Sequence, residues 1–265
     1  MIRSCAVVHK LIERYDYGGA YDLLLEEGLE ESDAGKIINS CRYASNFDFK
    51  TARYHLNELD ENIDKLGIVQ NTKKNLDELI RGVPDAIFSE LIENIKIQIV
   101  NEEFIDFLGR VYRFKEALYK YIFISSLDGY RKFSFTSDIV LKKNILRILK
   151  KKFKIYNGST IFGISSYIQR FQKTNYKYQQ VDKILNMNKM NELIELRHNS
   201  IIGHGFAGVS VEDIYKIYGN PYNVLDDFED CLEILGVKIL KYKYGHLNEL
   251  LYRMIYELNE SELDA

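Results

Sequence analysis

The sequence contains no tryptophan, and among its 265 residues proline occurs only at Pro84 and Pro221. Proline and glycine interrupt regular elements, so this scarcity favours long helices over a sheet with many tight turns. Apolar residues make up 46% of the chain, which is enough for a substantial core. We find no parallel-sheet pattern and no Gly-rich phosphate loop. The sequence therefore predicts an all-α fold and indicates no cofactor.

Cysteine is also scarce, and its three copies, Cys5, Cys41 and Cys231, lie far apart. No Cys-x-x-Cys pair occurs, which excludes a zinc ribbon, and the spacing gives no disulfide framework. The five histidines are not spaced as metal ligands. The sequence has no secretory signal and no apolar run of about 18 residues. We therefore expect a soluble, cytoplasmic protein that has no metal site and does not enter a membrane.

The net charge of −3 conceals a basic segment at residues 131–183, which contains thirteen Lys or Arg and two Asp. Aromatic residues alternate with these cations, a combination typical of proteins that bind single-stranded nucleic acid. The run RILKKKFK contributes the predicted RNA-binding residues Lys150, Lys151 and Lys152. A solvated face, with most of the aromatic rings in the core, is the alternative interpretation of this segment.

An internal repeat occurs near the N-terminus. Residues 15–24 (YDYGGAYDLL) and 47–56 (FDFKTARYHL) share the pattern aromatic-Asp-aromatic-x-x-Ala-x-x-x-Leu, offset by 32 residues. This offset predicts two successive helical hairpins, neither of which buries its apolar face alone. Ala20 and Ala52 are the small residues expected at close helix contacts. Such repeats are mostly packing devices, so we expect no chemistry from them.

The sequence RGVPDAIF marks a boundary, because Gly82 can end one helix and Pro84 suits the first position of the next. We therefore predict a helical-hairpin segment over residues 1–82 and a second helical domain over residues 83–265. Within the second domain, apolar residues recur at helical spacing over roughly residues 86–125.

The most informative stretch is ELIELRHNSIIGHGF, in which an apolar helical pattern runs into an arginine and two histidines. On a continuous helix, Arg197 and His204 project from nearly the same face. Arginine binds phosphate oxygens in a bidentate way, and histidine exchanges a proton near neutral pH. We therefore predict that Arg197 stabilises a phosphodiester and that His204 transfers protons. His198 and Asn199 are predicted to position the phosphate or to orient His204, with a purely structural role as the alternative for His198.

The segment after Asn199 is rich in glycine. Gly203 and Gly205 flank His204, and their lack of side chains predicts an open approach for a bulky polymer. Ser210 and Asp213 then have the spacing of a capping box, which predicts the start of a further helix.

The run LRHNSIIGHGF resembles the signature of the HEPN superfamily, in which an Arg and a polar residue precede a His by four to six intervening positions. It looks like the HEPN motif of the CRISPR-associated CARF–HEPN ribonucleases of type III systems. LGRVYRFKEALYKYI at 108–122 resembles the long early helix of that family. RYDYGGAYDLL and RYASNFDFKTARYHL resemble the helical segment that precedes the HEPN domain there. The resemblance implies a HEPN helical bundle over residues 83–265, preceded by helical-hairpin repeats.

The resemblance further implies cleavage of single-stranded RNA without metal. The ribose 2′-hydroxyl would attack the adjacent phosphate and leave a 2′,3′-cyclic phosphate and a 5′-hydroxyl. It also implies a homodimer whose two motifs face each other across a two-fold axis. One Arg and one His per chain are few groups for both a general acid and a general base, so the chemistry itself favours a composite site.

One departure from the family concerns its sensor. Those proteins usually begin with a Rossmann-like CARF domain that binds cyclic oligoadenylate, and nothing in this sequence resembles it. The sequence is that of a fragment or of a natural short form. We therefore expect control by cyclic oligoadenylate only where a CARF domain is supplied elsewhere.

Two other functions fit the same sequence. One is a catalytically idle helical interaction module in which the Arg-His motif is structural. The other is a HEPN toxin held by a nucleotidyltransferase-like antitoxin. Incubation with single-stranded RNA in EDTA separates the first alternative from both nuclease functions.

Overall fold

The computed structural model of the chain describes residues 5–127 and 133–261, and within these ranges the fold is all-α, as predicted. The described residues form no β-strand, and they contain one isolated bridge, between Ser200 and Ala207. Two short 3₁₀ helices accompany the α-helices within these ranges. The α-helices are α1 (Cys5–Glu13), α2 (Tyr17–Glu26), α3 (Asp33–Ser45), α4 (Phe49–His55), α5 (Glu61–Asp64), α6 (Gly67–Ile80), α7 (Pro84–Val100), α8 (Phe104–Ser125), α9 (Lys142–Phe153), α10 (Thr160–Phe171), α11 (Tyr176–Leu185), α12 (Asn188–Asn199), α13 (Val211–Tyr218), α14 (Asn223–Leu235) and α15 (Lys243–Ser261).

The chain divides into two compact units. The first comprises Met1–Arg81 together with Leu240–Ala265, and the second comprises Gly82–Ile239. The sequence predicted a boundary between residues 82 and 83; here the second unit begins at Gly82 and ends before α15 rather than at residue 265. The reason is that α15 packs against α1, α3 and α6. Its buried Asn248 accepts a hydrogen bond from the Tyr17 hydroxyl at 2.8 Å and donates one to the carbonyl of Ile12 at 3.0 Å.

The repeated sequence pattern in the first unit corresponds to two equivalent turns between helices, α1–α2 and α3–α4. Tyr15 and Phe47 adopt positive φ angles of 61° and 64°, which end the preceding helix. The aspartates that follow, Asp16 and Asp48, are N-caps whose carboxylates accept the backbone N–H three residues later. A fully buried alanine follows in each second helix: Ala20 and Ala52. The repeat is therefore explained by backbone geometry, capping and packing.

The second unit begins with the Gly-x-Pro boundary. Gly82 has a φ of +68°, and Pro84 is the first residue of α7. The predicted helical pattern over residues 86–125 is two helices, α7 and α8. They are separated by a turn in which Glu102 has a φ of 58°. Helix α8 is central to this unit, because it packs against α7, α10 and α12.

Helix α12 carries the Arg-His motif and packs against α8 and α13. Near its start, Lys189 forms an ion pair of 2.7 Å with Asp227 of α14, which also accepts a hydrogen bond from the hydroxyl of Tyr218. Beyond its end, the predicted capping box is present, with Ser210 and Asp213 bonded to each other's backbone N–H. The motif therefore lies between this ion pair and the capping box.

None of the helices in the described part of the chain combines the length and the apolar character that crossing a membrane requires.

Candidate active site

Helix α12 ends at Asn199, so Arg197 and His204 do not share a face of one helix, and this part of the prediction is wrong. The chain reverses after Asn199 and folds back over the end of the helix. The N–H groups of His204 and Gly205 donate to the carbonyl of His198 at 2.8 and 3.1 Å. The N–H of Ala207 donates to the carbonyl of Asn199 at 3.0 Å. The returning loop thus supplies the partners that the last carbonyls of a helix need.

The two glycines beside His204 have a different role from the predicted one. A Cβ at Gly203 would lie 2.3 Å from the carbonyl oxygen of Arg197. A Cβ at Gly205 would lie 2.1 Å from that of Asn199. Both atoms belong to the backbone and cannot move aside without displacing the helix end. The glycines are therefore required by the close return of the loop, which in turn fixes the backbone of His204.

Arg197 attaches this loop to α8. Its guanidinium carbon lies 4.5 Å from the centre of the Tyr112 ring, a cation–π contact. Its Nη2 donates to the carbonyl of Ile202 at 2.9 Å, and the Ile202 side chain packs over Gly109 of α8. The Nε atom of Arg197 is buried and has no hydrogen-bond partner among the described residues. The contacts of Arg197 are therefore with α8 and the loop, while those of His204 are with His198.

The motif brings its two histidines together. The ring centres of His198 and His204 are 6.4 Å apart, and the ring planes differ by 19°. His204 is exposed, and the side chain of His198 is 40% exposed, with its Nδ1 3.8 Å from the carboxylate of Glu195. The side chain of Asn199 is also exposed. Two imidazoles accessible to the same ligand form an arrangement that can both accept and donate a proton.

A groove of about 630 Å³ lies beside the histidine pair, with His198 in its wall. Helices α8, α10 and α12 line it together with Asn157, Ser159 and Asn186. Amides, hydroxyls and the exposed ring of Phe162 dominate its lining. The volume is in the range of small-molecule sites. We call this cavity the His198 groove.

The His198 groove contains a cation that sequence analysis missed. Lys115 is only 3% exposed, and its Nζ donates to Oδ1 of Asn191 at 3.2 Å. Burial lowers the pKa of Lys115 to about 8, an effect that Asp182 opposes. The sequence pattern indicates that this lysine is buried, since Lys115 is four residues after Val111 and three before Leu118, on the apolar face of α8.

A buried polar network surrounds Asp182 next to this lysine. The Tyr119 hydroxyl donates to Oδ1 of Asp182 at 2.9 Å, and burial followed by the charge of Asp182 raises the pKa of Tyr119. The amides of Asn186 and Gln169 donate to the same carboxylate at 3.0 and 3.2 Å. This network joins α8, α10 and α11, and it fixes one side of the groove.

The predicted RNA-binding lysines lie at the end of α9. Lys150, Lys151 and Lys152 are exposed in its last turn, and none of them lines the His198 groove. The Nζ of Lys150 lies 5.8 Å from the centre of the Tyr156 ring, and the next residue, Asn157, does line the groove. The basic helix end is thus adjacent in sequence to the groove. Arg131 and Lys132, the first two cations of the basic segment, lie outside the described residues.

Comparisons with known proteins do not assign the chain to a family. No family model matches the sequence, and neither the search of curated proteins nor the search of solved structures gave a match. Within residues 5–127 and 133–261, no three His, Cys, Asp or Glu side chains form a group that could hold a metal ion. The chemistry of the site therefore has to be inferred from its own residues.

Proposed function

We propose that this chain is an endoribonuclease that cleaves single-stranded RNA without metal, through the histidine pair at the end of α12. The observation that carries the proposal is the 6.4 Å separation of the two nearly parallel rings, both open to solvent beside a groove of ligand size. Histidine is the side chain that can act as either acid or base near neutral pH. Paired histidines suit a reaction that needs both.

The reaction that fits this pair is transfer of the phosphate to the neighbouring ribose hydroxyl. One imidazole removes the proton of the 2′-hydroxyl, whose oxygen forms a bond to phosphorus. The bond from phosphorus to the 5′-oxygen breaks, and the other imidazole, in its protonated form, donates the proton that this leaving oxygen needs. The products are a 2′,3′-cyclic phosphate and a 5′-hydroxyl. We assign the two roles jointly to His198 and His204.

Arg197 is assigned a positioning role. It holds the loop against α8 through Tyr112 and the carbonyl of Ile202, so it keeps His204 beside His198. Its buried Nε is free of a partner among the described residues. The side chain of Asn199 is exposed and is available to contact a phosphate oxygen.

Lys150, Lys151 and Lys152 are proposed to attract the RNA strand. They form an exposed cationic turn, and the segment that follows them leads through Tyr156 to the groove. A positive surface with an exposed ring is the usual combination for single-stranded nucleic acid. Their contribution is to binding and depends on salt concentration.

A second copy of this chain is proposed to cover the loop. Phe206 is 93% exposed and Ile201 is 66% exposed, and both belong to the loop that carries His204. Large apolar side chains of this kind beside a polar site are typical of an interface. Light scattering is expected to give a dimer that Phe206→Asp converts to a monomer. The same change at Tyr176, which is 76% exposed but lies on α11, should leave the dimer intact.

The biological setting is proposed from the motif alone. The resemblance of RHNSIIGHG to the HEPN motif of type III CRISPR ribonucleases supports a role in antiviral defence in the cytoplasm. In that setting a cyclic oligoadenylate would control the chain through a CARF domain supplied elsewhere.

The test is incubation of the purified protein with single-stranded RNA in EDTA, with a matched DNA strand in parallel. We expect RNA fragments with 2′,3′-cyclic phosphate ends and intact DNA, because DNA lacks the attacking hydroxyl. Intact RNA would favour the idle interaction module. Cleavage of DNA, or cleavage that requires added magnesium, would show that the mechanism is different.

A further inference from the structure

The His198 groove contains a buried ammonium group with unused donors. An ammonium carries three N–H groups. Among the described residues, that of Lys115 makes one hydrogen bond, to Asn191, although the residue is 3% exposed and lines the groove. Burying a cation that is incompletely hydrogen-bonded is unfavourable, so such a group is a candidate for ligand binding. Any group that faces Lys115 has to be a hydrogen-bond acceptor.

The charges around Lys115 disfavour a phosphate as that ligand. Asp182 lies close enough to oppose the effect of burial on the lysine, so the pair is close to neutral. The carboxylate of Glu195 is in the groove wall as well. Apart from His198, the rest of the lining is amide, hydroxyl, aliphatic and aromatic. A phosphate would gain little here, whereas a neutral ring with polar edges finds both donors and a ring surface, Phe162, on which to stack.

We propose that the His198 groove binds a nucleobase of the RNA next to the cleaved phosphate, with Lys115 donating a hydrogen bond to an acceptor on the edge of the base. This inference rests on the proposed ribonuclease function and adds the source of its sequence preference. His198 is in the groove wall, so a base held there has its own phosphate within reach of the histidine pair. Lys115 is a specificity-determining residue in this scheme, and Phe162 supplies stacking that is independent of base identity.

The preference should depend on pH, because a charged donor bonds more strongly than a neutral one. The pKa of Lys115 is about 8, so its bond to the base weakens as the pH rises above 8. The titratable groups that face it from neighbouring helices are Asp182 of α11 and Glu195 and His198 of α12. Helix α10 contributes only hydroxyls, an amide and apolar groups to the groove.

The experiment uses DNA strands that contain a single ribonucleotide, so that only one linkage carries the attacking hydroxyl. The base of the ribonucleotide and the base that follows it are varied, and kcat/KM is measured for every combination. At pH 7 we expect at least a tenfold preference at one of the two positions, the size that one hydrogen bond to a base edge supports. Ratios between substrates cancel any effect of pH on the chemical step.

Three variants of α8 test the residue. Lys115→Met should reduce the preference to about threefold or less at every pH. Lys115→Arg should keep a preference that no longer changes above pH 8, since arginine stays charged. The control is Lys120→Met, because Lys120 lies on the same helix, is paired with Glu116 and does not line the groove. It should retain both the preference and its pH dependence.

A fourth variant does not depend on the stability of the buried site. Phe162 is 62% exposed, so Phe162→Ala should fold normally and raise KM about tenfold for all substrates through lost stacking. Cleavage without base preference, or a preference that Lys115→Met leaves intact, would overturn the inference while the ribonuclease function stands. An unchanged KM in Phe162→Ala would also count against a base in this groove. If the wild-type protein cuts none of the substrates or RNA, the proposed function itself fails.

Discussion

The turns at Asp16 and Asp48 and the turn after α12 each follow the end of a helix, but they differ in whether their side chains are used in folding. In the first two turns, the aspartates cap the next helix and the alanines are fully buried. In the third, main-chain hydrogen bonds and the side chain of Arg197 fix the loop, and two of its apolar side chains are left exposed, Ile201 at 66% and Phe206 at 93%. Folding explains the repeated residues of the first two turns. It does not explain His204, and residues that folding leaves unexplained are the best candidates for function.

The largest expected effect follows from removing either histidine. His204→Ala and His198→Ala should each lower the rate of RNA cleavage by about 10²–10⁴-fold, the usual contribution of a general acid or base. Neither change should alter the thermal unfolding of the protein, because both side chains are at least partly exposed. The matched control is His246→Ala, an exposed histidine on α15.

The pH dependence of the rate distinguishes a pair from a single histidine. Two titrating groups in opposite protonation states give a bell-shaped profile, and each single variant should lose one limb of it. If His198→Ala keeps the wild-type rate and pH profile, His204 is the only catalytic histidine of the pair. The second acid or base then has to come from another copy of the chain, in a composite site.

The next effect concerns the position of the loop. Gly205→Ala should lower the cleavage rate by up to about 10²-fold, since small displacements of catalytic groups have costs of this size. The added methyl group meets backbone 2.1 Å away and forces the loop outward. Gly208→Ala is the control, because nothing lies within 4 Å of its added Cβ. Equal activity of the two variants would mean that the close return of the loop is unimportant for catalysis.

The same contrast explains what could be predicted from the sequence. The turn at Gly82, the first position of Pro84 and the capping box at Ser210 depend on neighbours within a few residues, so composition and spacing identify them. The end of α12 at Asn199 depends on close packing of the two glycines, and the apolar pattern gives no sign of that. The network around Asp182 joins helices distant in sequence, so spacing along the chain does not predict it. The position of Lys115 on an apolar face is the one feature of the sequence that indicates a buried polar group there.

Lys115 also predicts a measurable effect on stability. Its pKa in the folded protein is about 8, below the ordinary value of 10.5. Between these values the unfolded chain binds more protons at this site, so the free energy of unfolding rises with pH across that window. Below pH 8 the buried charge costs the folded state on the order of 3 kcal/mol. Lys115→Met lacks this dependence.

Urea denaturation of wild type and Lys115→Met at pH 7 and at pH 10 measures the difference. The stability of the variant relative to wild type should be greatest at pH 7 and should shrink at pH 10, while other titrating groups cancel. A relative stability that is the same at both pH values would mean that the lysine is not destabilised by burial. Its place in the groove would then need another explanation.

The smallest expected effect belongs to the capped turns and completes the comparison. Asp16→Ala removes the carboxylate that accepts the N–H of Gly19 at 2.9 Å, and loss of an N-cap costs about 1 kcal/mol. The melting temperature should fall by about 2–4 °C, while RNA cleavage stays unchanged. Asp22→Ala is the control. The side chain of Asp22 is 66% exposed, and its carboxylate lies 3.9 Å from Arg42, a long distance for an ion pair. Its removal should change stability by less than about 0.5 kcal/mol. If Asp16→Ala instead abolished cleavage at unchanged stability, the repeated turns would carry chemistry as well, and the distinction between residues that fold the chain and residues that act on RNA would fail.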